Sequence, residues 1–284
     1  ETELDQAIKT LDRAVELGVD ALIVQDLGLA KLIRKRYPKL VIHGSTQMSL
    51  TNHDGIEILD DLNIQRFVLG RENSLDEIKI IKENTDKELE VFVHGALCVA
   101  YSGQCFTSEA IGGRSANRGQ CAQSCRFDYE LFVDGEKKQL VEQKYLVSPQ
   151  DLCGINEVPK LQEIGVESFK VEGRLKSPEY VATVAKNYKN AINGVTPTEQ
   201  DVSDMAVSYS RGFYSGWLNG VAHQELAPAK YNSNRGQFLE KIKIVNSRDI
   251  FIDTKVELKA GDGLLFVTKE LEAGEKIYQI EKLK

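Results

Sequence analysis

What this sequence lacks narrows it first. All five cysteines fall between positions 98 and 153, and the rest of the 284 residues hold none. An odd, clustered set fits a complete disulfide framework awkwardly, so metal or thiol chemistry in a reducing compartment is expected instead. No run approaches the roughly 18–20 apolar residues that cross a bilayer, so no membrane partner is expected. The sequence opens on neither an initiating Met nor a basic-then-apolar leader. Together with the opening directly on a helical pattern, this points to a cytoplasmic chain with further N-terminal units outside this sequence. Positive charge is not in excess: a formal net charge of −7 argues against a strongly basic nucleic-acid coat, while leaving room for a local basic groove. No H-E-x-x-H helix, no G-x-S-x-G elbow and no paired C-x-x-C zinc knuckle occurs. Low-complexity segments are missing too, as are repeats beyond an alternation of strand and helix.

What is present is a globular composition, 42% hydrophobic and 28% charged, with chain enough to bury a core without staples. Residues 3–17 place Leu4, Ala7, Ile8, Leu11, Ala14 and Val15 at helical spacing, stopping at Gly18. Ala21-Leu-Ile-Val24 then reads as a buried parallel strand. The pattern repeats: a helix to about Arg36 before Pro38, a strand at 40–42, a helix near 52–61, a strand at 66–69, a helix near 74–84, a strand at 89–93. Later come a strand at 168–172 and a helix from about Pro178 to Asn193. The run Lys31-Leu-Ile-Arg34-Lys35-Arg36 reads as a solvated helix end. Alternation of this kind implies an α/β fold with a parallel sheet. Each strand ends in polar residues, Gln25/Asp26, His43/Gln47, Arg71/Glu72, His94 and Lys170/Glu172/Arg174. In a TIM-type β/α barrel such ends converge on one face where sites are built. Five strands against the eight of a closed barrel make this a partial barrel over residues 1–199, with a cysteine-rich insertion at 95–153. Residues 200–236 read as a glycine- and aromatic-rich linker. Residues 237–284 alternate around 238–245, 249–258, 263–268 and 276–282, with turns at Asn246-Ser247 and Gly261-Asp-Gly263, as a small β-rich appendage would.

The insertion carries the chemistry. Cys98, Cys105, Cys121 and Cys125 lie in one irregular stretch rich in Gly, Ser, Arg and Asn, with Cys153 beyond it. Four thiolates suit an iron–sulfur cluster or Zn²⁺, and catalytic or free thiols are the third possibility. Arg114, Arg118 and Arg126 interleave with the cysteines, where they can offset a cluster's negative charge or grip phosphate oxygens. His94 stands at a strand end as either an acid–base group or a hydrogen-bonding support. His53 and His223 have no constellation around them. Tyr101 is placed either to stack on a base or to pack within the insertion.

The run from His94-Gly-Ala-Leu-Cys98 to Cys125-Arg126 closely resembles the signature of the collagenase-like U peptidases, the thirty-second family of unknown catalytic type. Asp20-Ala-Leu-Ile-Val-Gln-Asp26, Ser45-Thr-Gln-Met48, Ser148-Pro-Gln-Asp-Leu-Cys153, Val171-Glu-Gly-Arg174 and Ser177-Pro-Glu-Tyr180 match it as well, so the resemblance covers residues 1 to about 245. It implies a TIM-type barrel bearing an oxygen-sensitive 4Fe–4S cluster. It further implies an RNA partner, rRNA or tRNA, hydroxylated at carbon five of a pyrimidine with prephenate as a possible hydroxyl source. A protein partner or homo-oligomer is compatible with it. Tyr209-Ser-Arg-Gly-Phe213 through Gly220, Asn234-Arg-Gly236 and Gly261-Asp-Gly263 look like the longer branch that acts on 23S rRNA cytidine, with the tRNA-uridine branch second. A collagenase-like peptidase and a non-catalytic iron–sulfur RNA-binding module are the remaining readings. Carried over residue by residue, Cys98, Cys105, Cys121 and Cys153 are the expected ligands, with Cys125 competing for one place. His94 and Glu172 are expected to handle protons, and Gln47, Arg114, Arg118, Arg126 and Arg174 to hold substrate.

Overall fold

The computed structural model describes residues 2–140, 143–246, 249–268 and 272–281. Helix α1 (Thr2–Glu16) leads through β1 (Ala21–Val24), α2 (Leu27–Arg36), β2 (Val41–Gly44), α3 (His53–Glu57), β3 (Arg66–Val68) and α4 (Leu75–Glu83) to the long β4 (Glu88–Ala96). Helix starts are chemically specified. Asp26 Oδ1 accepts from Leu29 N at 2.6 Å, Asn52 Oδ1 from Gly55 N at 2.9 Å, and Ser74 with Glu77 forms a capping box on α4. The basic end of α2 is more than a solvated tip. Arg34 donates to the carbonyls of Leu62, Pro38, Leu40 and Asn63, tying the helix end to the segment before β3.

The cysteine segment holds α5 (Thr107–Gly112) and a hairpin of β5 (Phe132–Val133) and β6 (Glu136–Lys137). After it come β7 (Asp151–Cys153), α6 (Val158–Ile164), β8 (Ser168–Val171), α7 (Pro178–Ile192), α8 (Glu199–Ser208), β9 (Phe213–Tyr214) and α9 (His223–Leu226). Pairing from β1 through β4 is parallel, and β8 joins β4 in parallel. Strand β7 instead runs antiparallel to the last three residues of β4, and β9 lies parallel to β7. All five strands read from the sequence exist. Strands β7 and β9, at three and two residues, are too short for alternation to reveal. The sheet is therefore mixed but mostly parallel. Among the described residues its order, β1-β2-β3-β4-β7-β9 with β8 branching from β4, does not return to β1.

Alternation gives the sheet two unlike faces. Val24, Ile42, Phe67, Leu89 and Val91 point into one buried cluster with Ile33, Ile78, Leu161, Val184 and Met205 of the helices. Each such side chain contributes about 1.5–3 kcal/mol on full burial. The other face carries His43, Arg66, Glu90 and Lys170, joined by ion pairs of Glu90 to Lys170 at 2.7 Å and to Arg66 at 3.5 Å. Residues 200–236, expected as a linker, form α8, β9 and α9 and send Met205, Leu218 and Leu226 into the same core. Beyond them, β10 (Ile244–Val245) pairs with β11 (Ile250–Phe251), and β12 (Gly263–Val267) with β13 (Glu272–Lys276), all antiparallel. The last strand lies earlier than the expected 276–282. Ser247 of the expected turn and residues 282–284 lie outside the described residues.

Candidate thiol centre

The cysteine segment is held where β2, β3, β4 and β8 end. At the close of β4, Gly95 adopts φ 107°, and a Cβ there would sit 2.5 Å from the carbonyl oxygen of Glu172. Glycine is therefore needed for the two strand ends to meet. Glu172 N donates to His94 O at 2.8 Å, while its carboxylate accepts from Arg174 N at 2.8 Å and Ala96 N at 3.4 Å. Further on, Ser102 is clamped from three sides. Its N–H donates to Glu72 Oε1 at 2.6 Å, its hydroxyl accepts from Arg71 N at 3.2 Å, and its carbonyl accepts from Ser49 Oγ at 2.5 Å. Beside it Gly103, at φ 74°, passes so close to Gln47 that a Cβ would lie 2.4 Å from that carbonyl. Gln47 Nε2 donates to Ala116 O at 3.2 Å, and Asn117 Oδ1 accepts from Cys105 N at 3.0 Å. Polar strand ends thus serve first to pin the loop.

Four thiols gather in that loop. Cys98 and Cys125 each lie within electrostatic reach of one another, of Cys105 and of Cys121. Burial pushes the Cys98 and Cys125 thiols up, while Arg71 beside Cys98 and Arg126 beside Cys125 pull them down. Cys153, expected as a ligand, has different neighbours. Burial pushes it up to about 11 beside Tyr188 and Glu157, and none of the other four thiols is among its electrostatic partners. The position of Cys153 is physical: it is part of β7, whose register pairs it with His94 and fixes it in the sheet. Cys125, in contrast, travels with the irregular loop. As placed, no three His, Cys, Asp or Glu side chains among the described residues converge on a metal site. Four thiols with two arginines beside them are a soft donor set, but they are not arranged around one metal position.

The other expected site residues divide. His94 is 1% exposed and sits among the rings of Tyr188, Phe213 and Tyr180, at 5.3, 5.4 and 5.9 Å. Tyr188 spends its hydroxyl proton on Val93 O at 2.7 Å, so the 3.2 Å contact with His94 requires Nδ1–H of the imidazole to donate. Nε2 is then a buried acceptor with no partner. Burial lowers the His94 pKa to about 4, leaving a neutral ring walled off from solvent. The expected proton handler is thereby a buried support, placed by the bulge between Phe92 and His94 that breaks strand alternation. Arg126 is likewise sequestered: buried, it donates to Ser148 Oγ at 2.8 Å, to Pro149 O and to Leu97 O at 3.2 Å. Burial, followed by the charge of Arg211, lowers its pKa to about 10. Its guanidinium ties the loop to the approach of β7 and is not free for phosphate. Arg118 pairs with Glu3 of α1 at 2.6 Å. Arg114 and Arg174 are exposed, and Glu172 is half-buried between Ala96 and Arg174.

Two constellations escaped the sequence reading. Asp151 and Arg211, each 4% exposed, form a buried pair with Nη2 to Oδ1 at 2.5 Å, and Asp151 Oδ2 also accepts from Arg211 N at 2.9 Å. Arg71 stacks its Cζ 3.8 Å from the Phe92 ring centre. Arg71 stood among the polar strand ends, and Asp151 and Arg211 in segments matched to the family, but the members of each pair lie 21 and 60 residues apart in the sequence.

Comparison with known proteins bears on this arrangement. The model of Peptidase family U32 matches residues 1–228. The chain belongs to that family. Among U32-related proteins, a 23S rRNA 5-hydroxycytidine synthase of Escherichia coli is 33% identical over 99% of this chain and 44% of its own length. A tRNA hydroxylation protein of Bacillus subtilis is 40% identical over 67% of this chain and 46% of its own. An uncharacterized protease of Methanocaldococcus jannaschii is 36% identical over 95% of this chain and 70% of its own. The chain thus spans less than half the length of the first two relatives. A solved U32 peptidase structure aligns over 33% of this chain and 38% of its own at 21% identity, with a TM-score of 0.29, too slight to compare folds. No helix among the described residues is long and apolar enough to cross a membrane.

Proposed function

We propose that this chain is part of an RNA-modifying enzyme that hydroxylates carbon five of a pyrimidine, 23S rRNA cytidine before tRNA uridine. The observation that carries the reading is the match over 99% of the chain to a relative named for 5-hydroxycytidine synthesis. The gathering of four thiols where the parallel strands end supports it. In this reading the sheet is part of a β/α barrel, and Cys98, Cys105, Cys121 and Cys125 hold a 4Fe–4S cluster. Such a cluster supplies electron transfer when bound. Arg71 and Arg126 offset its charge from within the protein. Exposed Arg114 and Arg174 offer guanidinium groups to RNA phosphates. The Glu172 carboxylate, held by two backbone N–H groups at the close of β4 and β8, is the acid–base group.

The peptidase reading needs a thiolate with an imidazole base. The candidate pair, Cys98 with His94, is not formed: one ring nitrogen of His94 is taken by Tyr188 and the other has no partner. The test is base-level mass spectrometry of rRNA and tRNA from a strain lacking the gene, complemented by the unsubstituted protein or by single Cys→Ser variants. Loss of one oxygen atom's mass from a single pyrimidine, restored by the unsubstituted protein and by Cys153→Ser but not by Cys125→Ser, is expected. Unaltered RNA in the deletion strain refutes hydroxylation. Restoration by Cys125→Ser refutes the ligand set.

A further inference from the structure

Leu175 combines a strained backbone with a side chain that the fold does not bury. Six non-glycine residues among those described have positive φ: Ser49, Asn63, Gln123, Asp134, Leu175 and Ala229. Leu175, at φ 61°, is the one with a bulky apolar side chain, and that side chain is 94% exposed. The left-handed region crowds the Cβ of an L-residue, so glycine or asparagine ordinarily fills such a turn position. Strain of this kind persists where the surroundings impose it, and it gathers at functional sites.

Here the surroundings do impose it. Lys176 N donates to Gly173 O at 3.1 Å and Arg174 N to Glu172 Oε1 at 2.8 Å, closing the turn around Leu175. Tyr180 Oη donates to Glu172 O at 3.1 Å, and Ser177 Oγ accepts from Tyr180 N at 3.3 Å where α7 starts. Lys176 Nζ rests 3.0 Å from the Tyr209 ring centre. The tip follows β8 directly, beside Gly95 and Ala96 at the root of the cysteine segment. Exposed Arg174 and half-buried Lys176 flank it, and among the described residues neither side chain is in an ion pair. A lone exposed leucine is ordinary. One held rigidly between two unpaired cations is suited to a polyanion with apolar faces.

We propose that Leu175 is a wedge that enters the RNA stack beside the target pyrimidine, with Arg174 on a flanking phosphate. This rests on the RNA-hydroxylation reading above and on no arrangement of the thiols. A base that undergoes chemistry is drawn out of its stack, and an apolar side chain that fills the opened step stabilises the drawn-out form. Phosphates on either side of that step supply the counter-charge that Arg174 and Lys176 lack. A turn already fixed in place enters without the entropy cost of ordering a loop.

The experiment starts from the pyrimidine whose mark is missing in the deletion strain. A short RNA covering it, with a fluorescent adenine analogue as the neighbouring base, reports unstacking as a rise in emission. At protein concentrations that saturate the RNA in a gel shift, the unsubstituted protein is expected to give the rise and Leu175→Gly to lose it. Leu175→Gly is also expected not to restore the mark in the deletion strain, and Leu175→Met to recover most of both. Leu175→Asn keeps the left-handed turn without added backbone freedom and is expected to behave as Leu175→Gly. Restoration of the mark by Leu175→Gly or Leu175→Asn overturns the proposal. So does a clearly lowered unfolding temperature in Leu175→Gly, because the side chain then has a partner inside the protein. Loss of the mark with the rise in emission unaltered assigns Leu175 to a protein contact and overturns the wedge. An unaltered RNA in the deletion strain is a different result: it refutes the hydroxylation reading, and this proposal with it.

Discussion

The aromatic cage around His94 makes the protein acid-sensitive by an amount that follows from one residue. Burial lowers the His94 pKa from 6.5 to about 4. Above the unfolded value both states hold a neutral ring and His94 has no effect on the pH slope. Below it the unfolded chain takes up a proton that the folded chain refuses, so stability falls as the pH drops through the window from 6.5 to about 4. A difference of that size, at about 1.4 kcal/mol for each pH unit, amounts to roughly 3 kcal/mol. The side chain is 1% exposed, so solvent screening takes little from it. His94→Phe keeps a ring among Tyr180, Tyr188 and Phe213, leaves the Tyr188 bond to Val93 O intact, and cannot titrate. Urea unfolding of both proteins, followed by circular dichroism in steps from about pH 7 to about pH 4, isolates the histidine from carboxylates common to both. The unsubstituted protein should lose roughly 3 kcal/mol more than the variant across that range. Parallel pH curves for the two would refute the claim that the imidazole is buried and neutral.

Two other positions carry predictions of opposite sign. Asp151→Ala strands the Arg211 guanidinium, 4% exposed, without its carboxylate; a loss of about 3–5 kcal/mol is expected by denaturant unfolding, and a loss below about 1 would show the pair to be solvated. Leu175 is 94% exposed and held at φ 61°, so Leu175→Gly should be neutral or stabilising by up to about 1 kcal/mol in thermal unfolding, whereas clear destabilisation would mean that the side chain has a hidden partner.

The elements visible in the sequence are those whose physics is local. Helices α1, α2, α4 and α7 form close to where the sequence places them, α2, α4 and α7 each behind a side-chain N-cap. Strands β1 to β4 and β8 are runs of β-branched and aromatic residues that stand out without any neighbour. Helix α3 is shorter than its pattern, because the chain tightens into a 3-10 turn at Asp60–Leu62. What stayed hidden has partners far along the chain. Strand β7 is an ordinary tripeptide until β4 and β9 flank it. The stretch 200–236 looks like linker, since its buried positions Met205, Leu218 and Leu226 are too widely spaced to show a period. The site residues divide in the same way: residue type showed which side chains have useful chemistry, but not which of them would be buried.

The sequence by itself determined the chemistry available here: five clustered thiols, interleaved arginines, a parallel α/β scaffold and membership of a family. Composition and short-range spacing are enough for that, because donor type, helical period and turn residues are properties of a few adjacent positions. Only the tertiary structure decided how those groups are used. It sealed His94 behind three aromatic rings, spent Arg126 on backbone carbonyls, locked Cys153 into β7 and left Cys125 with the other thiols. Those outcomes depend on which distant segments meet at the strand ends. Burial and partner choice set a side chain's charge and reach, and both belong to the folded chain as a whole.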